Sequence, residues 1–398
     1  MDPDATVPFK DAAFALMSHD PPLVADEKSK TDLTAALIQW TQTDFEDRID
    51  NSAQAYGVEQ MMRFFGAPAV KGLPPLMTEQ SNKVDRMASL VADLGDAATK
   101  EKASVQLVTL AQKIDSPDWV AKEKPLVQEA NKRSGANVTD AQLAIQLDKF
   151  QEQELVKIFT SMKKIGGRPV IDYCIAFASN PKNSEERRKA ALAALENRVD
   201  KNNTSDVDKI FAIAKDEATP DSVRDLAFAR LGELPKDQIV PKLYTLFESK
   251  KWKVRWVAAD LVLKTMKTND LPEFMRHLPA TAATKMGLSE PTTYGARIAK
   301  MDGPLKPIDA IRPYLNAKEL GPKLTALGFF YEGKKADVSV VQSHEDDKAP
   351  VPKCEKEDEC GWTCVVPKSP GSNETESKTI TTVGEFVKFC VEPSMTNK

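Results

Sequence analysis

Apolar residues recur every three to four positions through much of the chain, and the pattern is most regular between Ser184 and Met266. This spacing places the apolar side chains on one face of each segment and predicts amphipathic helices. The four faces are Val207/Ile210/Phe211/Ala214, Val223/Leu226/Ala227/Leu231, Ile239/Leu243/Leu246/Phe247 and Val254/Val257/Ala258/Leu261. Short polar breaks at 219–221 and 249–251 leave room only for tight turns, so consecutive helices are predicted to run antiparallel.

A short motif repeats within this region. Val223-Arg224-x-x-Ala227 returns 31 residues later as Val254-Arg255-x-x-Ala258. Arg188-x-x-Ala191 is a weaker copy, 36 residues upstream of Arg224-x-x-Ala227. Periods of this length are typical of solenoids, in which a small unit buries its apolar face by stacking on its neighbours.

These units resemble the HEAT repeat of the armadillo-like α-solenoids. Pro220-Asp221-x-Val223-Arg224-x-x-Ala227 carries the resemblance best, and 253–260 matches the second helix without the preceding Pro-Asp. The resemblance covers about 184–277, and bacterial exported HEAT-repeat lipoproteins are similar in general build. It implies an all-α, HEAT-like α–α superhelix over 31–340, whose concave face binds another macromolecule.

The remaining chain is less regular. Residues 1–30 carry four prolines and are predicted to form a tether or irregular lead-in, and helical periodicity starts near Asp32. Gly166-Gly167-Arg168-Pro169 lacks the spacing of a phosphate loop and indicates a turn that ends a helix. A loop is predicted over 279–291, before the repeats resume near Pro304.

Charge and hydropathy narrow the classes of function. With 55 basic and 59 acidic residues the net charge is −4, so no global basic field recruits nucleic acid. No apolar run approaches the ~18 residues of a membrane-spanning helix. The N-terminus lacks the basic start and apolar core of a secretory signal, although membrane tethering through a removed N-terminal lipid anchor stays an open alternative.

Four of the five cysteines, Cys354, Cys360, Cys364 and Cys390, lie close together near the C-terminus. Their segment, 341–398, is predicted to be a small α+β unit with a strand at 362–366, a partner strand at 377–380 and a terminal helix. Disulfides fit better than structural zinc, because the spacings contain no C-x-x-C knuckle. The connectivity stays open, with Cys390 expected to pair with one of the other three. Disulfides would place the protein in the periplasm, on an outer surface or in the extracellular space.

The other candidate chemistry is sparse. Cys174 lies in an apolar helical segment and is predicted to be a buried free thiol. His19, His277 and His344 lie in separate segments and form no ligand pair. The acidic runs lack the alternating spacing of a calcium loop. The sequence therefore predicts no catalytic residues, no metal site and no cofactor.

One stretch suggests a binding surface. Lysines and an arginine surround two tryptophans at the start of a predicted repeat helix, at Lys250, Lys251, Trp252, Lys253, Arg255 and Trp256. Positive charge beside aromatic surface can hold phosphate or an acidic peptide. The alternative is structural, with the arginine paired to an acid of the adjacent unit and the tryptophans filling the core between repeats.

The sequence thus predicts a non-enzymatic scaffold of the bacterial envelope or extracellular space that binds a protein partner on its helices. No small-molecule substrate is inferred. Three alternatives stay open: a HEAT-like DNA glycosylase, a bilin lyase-like enzyme, and a zinc-stapled intracellular adaptor. A glycosylase would need a basic concave face, and a lyase would need an accessible reactive cysteine or acid.

Overall fold

The structure is a computed structural model of the chain. It describes residues 66–79, 81, 83–278, 285–333, 337–368 and 374–396, together with His19, 26–30, Asp32, Met62 and Arg63. Most of the tether predicted at 1–30, and the helices predicted from Asp32 to Phe65, lie outside these residues. The described chain is mostly helical, and its contacts divide it into two compact units. The first unit comprises 1–213 and 219–230, and the second comprises 214–218 and 231–398.

The helices up to Leu231 follow one another with short connections. They are α1 (Ala67–Val70), α2 (Val84–Leu94), α3 (Ala97–Ile114), α4 (Pro117–Arg133), α5 (Asp140–Ile165), α6 (Arg168–Ser179), α7 (Glu185–Ala194), α8 (Thr204–Lys215) and α9 (Asp221–Leu231). Local chemistry sets several of their starts. The Ser116 hydroxyl accepts the Trp119 amide before the helix-starting Pro117, and Thr139 forms a capping box with Gln142. Each of these caps satisfies amide groups that the first helical turn leaves unbonded.

Helix α5 organises the first unit, because it contacts α2, α3, α4 and α7. Its buried face carries apolar side chains along its length, ending in Phe159, Met162 and Ile165. Gly166 then takes a φ of 68° and Gly167 a φ of 93°, a left-handed region that glycine enters without a steric penalty. Helix α6 begins directly afterwards, so the prediction of a helix-ending turn here is confirmed.

The repeated arginines share an environment within their own units. Arg188 is 5% exposed and Arg224 is 2% exposed in the first unit, and Arg255 is 2% exposed in the second. Nε of Arg188 donates to the Ala178 carbonyl at 2.8 Å, and Nη2 of Arg224 donates to the Thr219 carbonyl at 2.6 Å. The repeated arginines therefore bind main-chain oxygens that precede their own helices.

The second unit is also mainly helical. Its elements are α10 (Lys236–Tyr244), α11 (Trp252–Thr265), α12 (Leu271–Arg276), α13 (Ser289–Ile298), α14 (Pro307–Ile311), α15 (Leu320–Gly333), α16 (Ser339–Gln342), α17 (Glu357–Cys360), β1 (Thr363–Pro367), β2 (Thr375–Thr379), α18 (Val383–Phe386) and α19 (Glu392–Thr396). Helix α11 contacts α10 and α13, and α13 in turn contacts α15. A stretch of π-helix, Val387–Val391, joins α18 to α19.

The predicted strand pair is confirmed. β1 and β2 are antiparallel, with Cys364 opposite Lys378 and Val366 opposite Glu376. The buried face of β1 carries Cys364 and Val366, whereas every other residue of β1 is exposed. The hairpin therefore presents one apolar face to the rest of the second unit.

Two sequence predictions need correction. The predicted loop 279–291 ends earlier than expected, because α13 starts at Ser289 and includes Pro291; residues 279–284 lie outside the described part. The apolar face predicted for α11 is rotated, since Val254 and Ala258 are buried but Val257 and Leu261 are only half-buried. Arg255, Ala259, Val262 and Leu263 complete the buried face instead.

The segment 341–398 belongs to the second unit by its contacts. Lys323 pairs with Asp347 at 2.9 Å across the boundary predicted at 340, and the Trp362 indole donates to the Met286 carbonyl at 2.9 Å. The cysteine-rich segment thus packs on the helices that precede it. Among the described residues, no helix is both long enough and apolar enough to cross a membrane.

Candidate partner-binding surface

Two tryptophans lie one helical turn apart at the start of α11. The rings of Trp252 and Trp256 have centroids 6.3 Å apart at an interplanar angle of 56°, and both side chains are half-buried. Nζ of Lys253 lies 5.8 Å from the centroid of the Trp252 ring, within the range of a cation–π contact. This end of the helix therefore offers aromatic surface and positive charge together.

The turn before α11 supplies two further lysines. Lys250 is exposed, and Lys251 is half-buried with its ammonium donating to the Glu217 carbonyl. No side chain caps the start of α11, and its first amide, that of Trp252, is bonded by a carboxylate of another segment. The positive end of the helix dipole thus adds to the charge of the lysines.

Arg255 does not belong to this surface, and its predicted partner-binding role needs correction. Its side chain is 3% exposed and forms an ion pair with Glu290, whose side chain is 1% exposed, at 3.0 Å. Its Nη1 also donates to the carbonyls of Ser249 and Lys250, and Nη2 to that of Lys285. A guanidinium with these partners has no face left for another molecule. The structural alternative therefore holds for this residue, with a glutamate as the partner.

The candidate surface consists of the five remaining predicted residues, hereafter the lysine–tryptophan patch. They are Lys250, Lys251, Trp252, Lys253 and Trp256. An acidic segment of the same unit lies against part of it. Oε1 of Glu355 accepts the Trp252 amide at 3.2 Å, and Oε2 of Glu359 lies 3.5 Å from Nζ of Lys253. The pKa of Glu359 is lowered, first by a hydrogen bond from Lys356 and further by Lys253 and Trp252.

The four C-terminal cysteines form two disulfides. Cys354 bonds to Cys360 and Cys364 to Cys390, with Cα–Cα distances of 5.9 and 5.8 Å. Cys390 does pair with an upstream cysteine, as expected. Disulfides persist outside the reducing cytoplasm, so these bonds indicate an oxidising compartment.

Cys174 is a free buried thiol, as predicted. Its Sγ lies 3.8 Å from the Met162 sulfur, and burial raises its pKa, which suppresses the thiolate form needed for nucleophilic attack. Within the described ranges, no group of three or more His, Cys, Asp or Glu side chains is arranged to hold a metal ion.

The sequence reasoning missed a cleft of about 660 Å³ between α10 and α12 in the second unit. The rings of Tyr244 and His277 stack there with centroids 3.9 Å apart, and the His277 Nε2 lies 3.0 Å from Glu273. The Tyr244 hydroxyl is buried with no hydrogen-bond partner among the described residues, and burial raises its pKa. The 33-residue separation of the two rings, within the range of the repeat spacings, is the signal that could have connected them.

No protein-family model matches the chain, and a comparison with curated proteins finds no match either.

Proposed function

We propose that the protein is a non-enzymatic scaffold, built as a HEAT-like solenoid, that binds a protein partner through the lysine–tryptophan patch. The observation that carries the proposal is the combination of half-buried aromatic rings, lysines and a helix start at one place on α11. Aromatic side chains that keep part of their surface in solvent are enriched where proteins bind one another.

The solenoid part of the proposal is supported by the repeated arginines. Arg188, Arg224 and Arg255 recur at spacings of 36 and 31 residues, and each is buried with main-chain carbonyls as hydrogen-bond acceptors. A buried charged group needs such partners, so the same unusual solution at three repeat positions favours a common structural unit.

The compartment proposed is the bacterial envelope or the extracellular space, where both disulfides are stable. Attachment to a membrane through an N-terminal lipid anchor is part of the same proposal. The buried state of Cys174 argues against the lyase-like alternative, because that chemistry requires an accessible nucleophile.

The test is capture of binding partners by the full chain immobilised through its C-terminus. Wild type is compared with Lys250→Glu/Trp252→Ala, which changes the patch, and with Lys318→Glu, which reverses an exposed charge elsewhere in the second unit. We expect a partner, identified by mass spectrometry, that the patch variant captures at least about tenfold less, the loss expected when an interface loses an aromatic anchor. The control should capture it as wild type does.

Circular dichroism and thermal melting must be unchanged in both variants, because the altered side chains lie at least partly in solvent. If the patch variant retains every partner at the wild-type level, the patch has no binding role and the proposal is wrong.

A further inference from the structure

The acidic segment beside the patch is a closed ring. Cys354 and Cys360 are six residues apart and disulfide-bonded, and both are buried. The intervening residues, Glu-Lys-Glu-Asp-Glu, are all exposed, and we call them the acidic loop. Four carboxylates and one ammonium give the acidic loop a net charge of −3. The disulfide therefore holds a short, strongly acidic peptide in a fixed place.

The far end of the ring is anchored firmly. The Cys360 carbonyl accepts the Leu288 amide at 3.3 Å, and a side chain at Gly287 would collide with the same carbonyl. Two residues later in the chain, Trp362 is 2% exposed and hydrogen-bonded to the Met286 carbonyl. This end of the ring cannot leave its position without unpacking the start of α13.

The acidic loop itself is held on the patch by much weaker contacts. They are the bond from the Trp252 amide to Glu355 and the ion pair of Lys253 with Glu359, whose side chains are 44% and 33% exposed. Ion pairs at such exposure contribute little, because water and salt screen them. The acidic loop can therefore be displaced from the patch while the ring stays attached to the unit.

The contacts also specify what fits the patch. A carboxylate sits at the first amide of α11, where the helix dipole favours negative charge, and a second lies near a lysine that also faces an indole ring. Lys250 is exposed nearby in sequence and is available to a further acidic side chain. Two acids four residues apart, presented on a short turn, match this arrangement.

We propose, on the basis of the function proposed above, that the lysine–tryptophan patch binds an acidic peptide segment of the partner, and that the acidic loop is its built-in competitor. The acidic loop occupies the helix start and Lys253 until an acidic segment with more carboxylates in register, or with an aromatic contact to the tryptophans, replaces it. An intramolecular competitor lowers apparent affinity by the fraction of time for which the site is free.

The experiment measures binding of a fluorescent peptide to the full chain by anisotropy. The probe spans residues 354–360 with serine in place of both cysteines, and a control probe carries glutamine and asparagine in place of the acids. Wild type is compared with Glu355→Gln/Glu359→Gln, which keeps the disulfide and the shape of the acidic loop but removes its two contacting charges. We expect the variant to bind the acidic probe about tenfold more tightly than wild type, since the competitor no longer holds the site.

Charge reversal in the patch checks the location. Adding Lys250→Glu and Lys253→Glu to the acidic-loop variant should cancel the gain, whereas adding Lys318→Glu should leave it intact. The neutral probe should bind none of the proteins measurably.

The other outcomes separate this proposal from the function on which it rests. Equal binding of the acidic probe by wild type and the acidic-loop variant would overturn the competitor. Failure of every protein to bind it, while patch-dependent capture of a protein partner persists, would overturn the acidic chemistry and leave the binding function standing. Loss of patch-dependent capture as well would overturn both.

Discussion

The ion pair of Arg255 and Glu290 offers the sharpest test of the packing in the second unit. Both side chains are almost fully buried, and the guanidinium also satisfies the carbonyls of Ser249, Lys250 and Lys285. Glu290→Gln keeps the shape of the side chain and removes its charge. Breaking a buried pair by removing one partner costs about 3–5 kcal/mol, because the other charge is left uncompensated. We expect about 3 kcal/mol here, since glutamine still accepts a hydrogen bond from the guanidinium.

The sign of the same change should reverse in a second background. Arg255→Met leaves Glu290 as a buried carboxylate without its cation and strands three carbonyls, so it should cost more than Glu290→Gln alone. Adding Glu290→Gln to Arg255→Met removes the uncompensated charge and should therefore raise the free energy of unfolding. Burial already raises the pKa of Glu290 beside Arg255, so this rescue should shrink as the pH falls and the carboxylate takes up a proton.

Urea unfolding followed by tryptophan fluorescence measures these differences, because Trp252, Trp256 and Trp362 all lie in the second unit. A loss of about 3 kcal/mol corresponds to a fall in Tm of about 6–12 °C for a unit of this size. Glu273→Gln is the matched control, since its partner Arg276 is 71% exposed and surface pairs contribute about 1 kcal/mol or less. A loss below about 1 kcal/mol for Glu290→Gln, or further destabilisation of Arg255→Met by it, would refute the burial of this pair.

Three further predictions concern other sites. A hydrogen bond from Lys122 and the charge of Lys113 hold the pKa of Glu79 below its ordinary value of 4.5, so this group stabilises the first unit above that pH and the contribution is lost as the pH falls; Glu79→Gln should flatten the acid side of a Tm-versus-pH curve. Cys390→Ser opens a ring of 26 residues and Cys354→Ser one of 6, so chain entropy predicts losses of about 3.5 and 2.2 kcal/mol in urea unfolding, and the reverse order would contradict it. Tyr244→Phe removes a hydroxyl without a protein partner and should leave the urea midpoint unchanged or slightly higher, whereas a loss above about 1 kcal/mol would show that the hydroxyl is bonded.

Features governed by neighbouring residues could be predicted from the sequence. The cap at Ser116, the glycine turn at Gly166 and the antiparallel pairing of the C-terminal strands follow from local conformational preferences. The burial of Cys174 follows from the apolar residues on its own helix. In these cases the information lies within a few positions of the feature itself.

Features governed by distant partners could not be predicted. Arg255 and Lys253 are two residues apart and equally basic, yet one is buried because Glu290, 35 residues later, receives it. Helix α13 was missed because Pro291 suggested a loop. That proline lies in the first turn, where its missing amide would have had no helical acceptor. The cleft beside Tyr244 likewise needs a ring from a separate helix.

Gly295 on α13 and Gly328 on α15 mark a place where two helices touch through their main chains. A side chain at 295 would meet the backbone of Gly328 and Phe329, and one at 328 would meet the backbone of Pro291. Repacking of other residues cannot relieve such a collision, because the obstacle is the polypeptide itself. Chains that share this fold can replace almost every other contact but must keep these two positions free of side chains. A glycine pair 33 residues apart, between two helices, is therefore a signature by which distant relatives can be recognised after their apolar residues have diverged.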